Sequence, residues 1–233
     1  MGASLRLGKI FGIPVEVNIS WILVFLLLTY LLAGEFEDPR LRWSVTQRWA
    51  VAMITVVLFF LSVLAHELSH SVMALSKGIP VRGITLFIFG GVSRLDREPQ
   101  RPITEFMVAL VGPLISIVLA VILGAAWFLL GRGGSSVEVI LVLLAWTNLS
   151  LGVFNLVPGY PLDGGRLLRA SIWGLTGNHR TATRIASAMG LAVGGSMLLG
   201  GVALAVFLEP IDGVWLAVVG AFLFSMARSS FPR

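Results

Sequence analysis

Six apolar runs dominate this chain, and they fix its solvent before anything else can be read. The hydrocarbon core of a bilayer is about 30 Å thick and takes about 20 helical residues to cross. The runs lie at Ile19 to Ala33, with a lead-in at Ile13 to Asn18, then at Arg48 to Leu75, Ile103 to Leu130, Val137 to Val157, Ala182 to Leu208 and Val214 to Ala227. Only 12% of the 233 residues are charged and 57% are apolar, whereas soluble domains have about 25% charged residues. A water-soluble fold is excluded. The expectation is an all-α polytopic membrane protein, a single domain over residues 1–233 with about six transmembrane helices. The first run leads into further spans instead of ending at a small-residue cleavage site, so it does not read as a removed signal.

Net charge is +5, which taken alone would admit a nucleic-acid partner. The positions of the basic residues argue otherwise. With six spans, one side of the membrane holds Arg6, Lys9, the loop from Lys77 to Arg101, the loop from Arg166 to Arg184, and Arg228 and Arg233; that is thirteen of the seventeen Lys and Arg. The other side holds Arg40, Arg42, Arg48 and Arg132. Lys and Arg accumulate in cytoplasmic loops. Both termini are therefore expected in the cytoplasm, and the basic character needs no nucleic acid. The absence of cysteine removes disulfide scaffolds, Cys-based zinc modules and thiol catalysis.

Two stretches do not read as spanning helices. Between Pro80 and Leu95, β-branched and aromatic residues lead to the pair Gly90-Gly91, the pattern of a short hairpin or re-entrant strand. From Asn155 to Gly165, Pro158, Gly159, Pro161, Gly164 and Gly165 break the fourth helix. Non-helical backbone survives at membrane depth only where protein or a water-filled cavity satisfies it. Both segments point toward a cavity.

Chemistry concentrates in the second span, where Leu64-Ala65-His66-Glu67-Leu68-Ser69-His70 forms a His-Glu-x-x-His motif. Residues four apart share a helix face, so both imidazoles can ligate one zinc ion, with Glu67 placed as a general base. With three His and eight Glu in the chain, chance would give the pattern in roughly one such chain in a thousand, so coincidence is a weak rival despite the false-positive risk of short motifs. Each charged group at the bilayer centre also costs on the order of 2.5–3.5 kcal/mol on the insertion scale, and such groups are functional by default. A polar helix-packing cluster is the competing explanation.

A hydrolytic zinc site takes three protein ligands and keeps one position open. The third His, His179, falls in a basic loop and reads as solvated. Among the carboxylates, Asp163 lies in the broken region, although Asp before Gly is also a common turn pairing. Asp163 is the favoured third ligand, with Asp96, Glu105 and Glu16 as alternatives.

The two elements together resemble the site-2 proteases, a family of intramembrane zinc metalloproteases. That family pairs His-Glu-x-x-His with Asn-x-x-Pro-x-x-x-x-Asp-Gly, matched here by Asn155-Leu-Val-Pro158 continuing to Asp163-Gly164. The likeness extends to Gly12-Ile-Pro-Val15, Phe89-Gly-Gly-Val92 and Gly112-Pro-Leu-Ile-Ser116, and so takes in nearly the whole chain. It implies one Zn2+ per chain held by His66, His70 and Asp163, Glu67 as catalytic acid/base, and Asn155 holding substrate or the developing oxyanion. It further implies that Phe87, Ile88, Phe89, Gly90, Gly91 and Val92 line the substrate path as a membrane-associated sheet. No loop has room for the PDZ domain of one branch, and no CBS pair follows the sixth span.

The implied activity is cleavage of transmembrane segments of single-span, membrane-anchored regulatory proteins, in a prokaryotic cytoplasmic membrane. The expected partners are that substrate and the lipid bilayer, and more loosely a second copy or a regulatory membrane protein. A dimer face would use the small-residue pairs Gly190/Gly194 and Ser196/Gly200, which equally suit packing within one chain. The competing function is a transporter or metal-handling membrane protein using the same His and Asp residues. Transport is usually marked by inverted repeats and several polar positions along a pathway; here the ionisable groups gather at one point, and a transporter has no need of Glu67.

Overall fold

The computed structural model describes residues 4–37, 41, 43–88, 90–130 and 135–232. In chain order the elements are β1 (Ser4–Ile10), β2 (Ile13–Asn18), α1 (Ile19–Glu35), α2 (Val45–Ser76), β3 (Val81–Phe87), β4 (Gly90–Leu95), α3 (Pro102–Leu130), α4 (Ser136–Asn155), α5 (Asp163–Thr176), α6 (His179–Phe207) and α7 (Pro210–Ser229). They group into two compact units, one of Met1–Glu98 with Leu114–Gly152 and one of Pro99–Pro113 with Val153–Arg233. Helices α2, α3, α4, α6 and α7 are long and apolar enough to cross a membrane, and α1 is a shorter apolar helix of 17 residues. At 1.5 Å per residue α1 is about 26 Å long, a little under the hydrocarbon thickness. The six predicted spans thus correspond to five long helices and one short one.

The first unit is built on α1, α2 and a four-stranded sheet in the order β1-β2-β3-β4. Strands β1/β2 and β3/β4 are antiparallel and β2/β3 parallel. The predicted hairpin is β3–β4, with Leu86 opposite Gly91 and Phe87 opposite Gly90. The strands β1 and β2 are not foreseen by the apolar-run reading, which takes Ile13 to Asn18 as a lead-in to the helix. Ile13, Val15 and Val17, two residues apart, are all buried, as residues on one face of a strand are. Asn18 ends that strand and caps α1, its side chain accepting from the Ser20 N–H at 3.0 Å. Val17 of β2, Val63 of α2 and Leu86 of β3 form one buried cluster with Trp21 and Phe59 against it, which seats the sheet on the middle of α2. Outward, Leu23, Leu26 and Leu27 of α1 and Val118, Val121 and Ile122 of α3 are exposed. In water such bands would be association sites; in a bilayer they meet their own solvent.

In the second unit α6 and α7 pack through glycines. A Cβ at Gly194 would lie 2.5 Å from the Phe224 backbone N, and one at Gly201 would lie 2.8 Å from Ala217 Cα. Close backbone approach through small residues is the usual membrane solution. Gly190 and Gly194 therefore serve packing within the chain, whereas Gly200 faces open space. Helix α5 was not expected. It is too short and too polar to register as a span, and it ends on Gly177 in the left-handed conformation with φ 68°.

Candidate metal centre

The first unit contains the histidine pair. His66 and His70 lie one turn apart on α2, 3% and 4% exposed, with ring centroids 4.9 Å apart. The Nδ1 of His66 is 2.9 Å from Ser116 Oγ on α3, and Ser116 is fully buried. That contact engages one ring nitrogen, the arrangement by which outer partners orient ligating histidines. One turn before His66, Ser62 Oγ accepts from the Asn148 side-chain amide at 3.1 Å, tying α2 to α4 inside an apolar environment.

Glu67, between the two histidines, is half-buried. Strand β4 crosses this turn of α2: a Cβ added to Gly91 would fall 2.5 Å from Glu67 Cγ, and Ser93 Oγ is 2.8 Å from Ser71 Oγ. β4 is an edge strand of the sheet, so its second hydrogen-bonding edge has no strand neighbour among the described residues. Of the predicted substrate segment, Phe87 ends β3, Ile88 lies in the turn with its N–H donated to Ser20 Oγ at 3.3 Å, and Gly90, Gly91 and Val92 begin β4. Phe89 lies outside the described residues.

The second unit contains the favoured carboxylate. Helix α4 ends at Asn155, an irregular segment follows, and Asp163 opens α5, where the helix macrodipole favours negative charge. Asp163 is 8% exposed, with Arg166 Nη1 3.8 Å from its carboxylate. Three glycines make the segment compact. A Cβ at Gly159 would meet Gly190 Cα at 3.0 Å, and Cβ atoms at Gly164 and Gly165 would collide with the backbone of Leu156 and Tyr160 respectively. The Tyr160–Pro161 peptide is cis.

The alternative ligands have other partners. Glu16 accepts from Arg6 at 3.3 Å and from Arg94 at 2.8 Å, Asp96 from Arg82 at 2.6 Å, and Glu105 from Arg169 at 2.7 Å. His179 packs edge-on to Trp173 at 4.7 Å. His66 and His70 in the first unit and Asp163 in the second are each buried. Two imidazoles and a carboxylate are a donor set found in catalytic zinc sites, so the residues present fit the metal. Sequence reasoning missed the parts played by Ser116, Ser93 and Asn148. The available signal was that polar groups in apolar spans need partners.

The model of peptidase family M50 matches residues 54–136 and 133–199. A protein of Synechocystis sp., provisionally named a zinc metalloprotease, is 39% identical over 99% of this chain and 60% of its own length. A similarly named protein of Mycobacterium tuberculosis is 36% identical over the whole of this chain and 60% of its own length. The chain thus spans about 60% of these curated relatives. Among solved structures, a site-2 protease from Methanocaldococcus jannaschii matches with a TM-score of 0.67 at 31% identity, covering 99% of this chain and 96% of that one. These names are those of peptidases, and they do not favour the transporter alternative.

Proposed function

The chain belongs to peptidase family M50, the site-2 proteases, and from that membership we propose that it is an intramembrane zinc endopeptidase acting on single-span, membrane-anchored regulatory proteins. It is an integral membrane protein by its apolar helices and its relatives. The distribution of Lys and Arg supports a cytoplasmic position for both termini in a prokaryotic cytoplasmic membrane. One observation carries the reading: two buried histidines flank Glu67 on a membrane-length helix, and an edge strand lies directly over Glu67.

His66, His70 and Asp163 would hold one zinc ion. When bound, zinc supplies Lewis acidity to a scissile carbonyl and to a water molecule. Glu67 takes the proton of the attacking water and returns it to the leaving amine nitrogen. The Asn155 side-chain amide donates to the carbonyl oxygen as negative charge develops there. Ser116, in contact with Nδ1, orients the His66 ring.

A transmembrane helix conceals its carbonyls in its own hydrogen bonds, so the substrate must be extended before attack. The segment from Phe87 to Val92 would receive it, with the free edge of β4 pairing with the unwound stretch by strand addition. Gly91, already against Glu67, brings that strand to the base.

The test is cleavage of a single-span substrate by the purified chain in detergent, with the cut located by mass spectrometry. Chelation should abolish cleavage and zinc restore it, with the cut inside the apolar segment. Cuts confined to the soluble flanks, or cleavage indifferent to chelation, would contradict the proposal.

A further inference from the structure

The second unit contains a buried ion pair that the mechanism above does not use. Arg169 of α5 donates its Nε–H to Glu105 Oε1 of α3 at 2.7 Å, and its Nη2 meets the same oxygen. Glu105 is 1% exposed and Arg169 5%. The other carboxylate oxygen, Glu105 Oε2, is buried without a hydrogen-bond partner among the described residues. The guanidinium carbon lies 5.5 Å from the centroid of the Tyr160 ring, a cation–π distance.

Tyr160 is held from three sides. Its N–H donates to the Ala186 carbonyl of α6 at 3.1 Å. Gly190 of α6 has no room for a side chain because Tyr160 O occupies that space, and Gly165 of α5 is closed by Tyr160 N in the same way. Asp163 lies three residues beyond Tyr160 and six before Arg169, so the segment that carries it is bracketed by the two partners of that ring contact.

We propose that Glu105, Arg169 and Tyr160 are positioning residues that set the place and rotation of Asp163 for metal binding. The proposal rests on the reading of Asp163 as a zinc ligand. The chemistry of the pair supports it. A buried ion pair seldom stabilises a fold more than well-packed apolar residues of similar volume. Holding α5 to α3 needs only packing; fixing its rotation calls for a directional, planar contact, which a guanidinium supplies.

The test uses the full chain in detergent, with zinc alone as probe and affinity read by competition with a chelator. The double variant Glu105→Met/Arg169→Met is expected to unfold at the wild-type temperature yet bind zinc about 10–100-fold more weakly, the range for lost outer-shell support. Arg169→Lys keeps the charge but loses the fork and the ring contact, and should lose at least half of that factor on a logarithmic scale. With Asp163→Ala already present, the double variant should weaken zinc binding no further, as coupling through that residue requires. A folded double variant with wild-type zinc affinity overturns the proposal, as does full additivity with Asp163→Ala. If the double variant does not fold, wild-type affinity in both Arg169→Lys and Tyr160→Leu overturns it. Unchanged zinc affinity in Asp163→Ala alone would instead refute the ligand reading beneath it.

Discussion

Gly91 and Glu67 are in contact across the sheet–helix boundary: a methyl group on Gly91 would lie 2.5 Å from Glu67 Cγ and 3.2 Å from Cδ. Strand β4 can cross α2 at this height only because the residue above the glutamate has no side chain.

Gly91→Ala should therefore move Glu67 while leaving the histidines in place. The displaced atom is Cγ, close to the helix, so a terminal rotation alone does not relieve the clash. The expected outcome is a fall in kcat of about 10²-fold, the lower range of what a positioned acid/base contributes, with zinc stoichiometry unchanged. Lost zinc at an intact fold would show that Gly91 supports the ligands instead.

Ser116→Ala removes the hydroxyl 2.9 Å from His66 Nδ1. Zinc affinity should fall on the order of 10–100-fold, as for other outer-shell partners of ligating histidines. Chelator competition measures this directly. Wild-type affinity would mean that the buried contact does not orient the ring.

Gly200 and Gly201 are adjacent on α6 and should respond oppositely to alanine. Gly200 faces open space, whereas a Cβ at Gly201 would press on Ala217 Cα at 2.8 Å and Gly213 O at 2.8 Å. Gly200→Ala should stabilise by about 0.5–1 kcal/mol through lower chain entropy in the unfolded state. Gly201→Ala should destabilise by about 1–3 kcal/mol through overpacking. Thermal unfolding in detergent distinguishes them, and equal effects would refute the α6–α7 packing described above.

The parts of this molecule legible in its sequence are those that violate their surroundings. His66, Glu67 and His70 stand out because an apolar span has no other use for three ionisable groups, and Asp163 because it lies where Pro and Gly break a helix. The β3–β4 hairpin was readable from its β-branched run and glycine pair. Strands β1 and β2 were not, since their alternation merges with the apolar run of α1, and α5 was hidden by being short and amphipathic. Pairings over long separations were also out of reach. Glu16 meets Arg94 across 78 residues and Glu105 meets Arg169 across 64, so spacing gave no hint that these carboxylates were engaged elsewhere.

Glu67→Gln separates metal binding from chemistry, because the amide keeps the shape of the side chain and loses its basicity. The measurement is zinc content and the rate of cleavage of a single-span substrate by the same purified preparation. The prediction is one zinc per chain, with cleavage reduced by about 10²–10⁴-fold. Cleavage at the wild-type rate with zinc bound would show that Glu67 is not the base and would contradict the proposed mechanism at its centre.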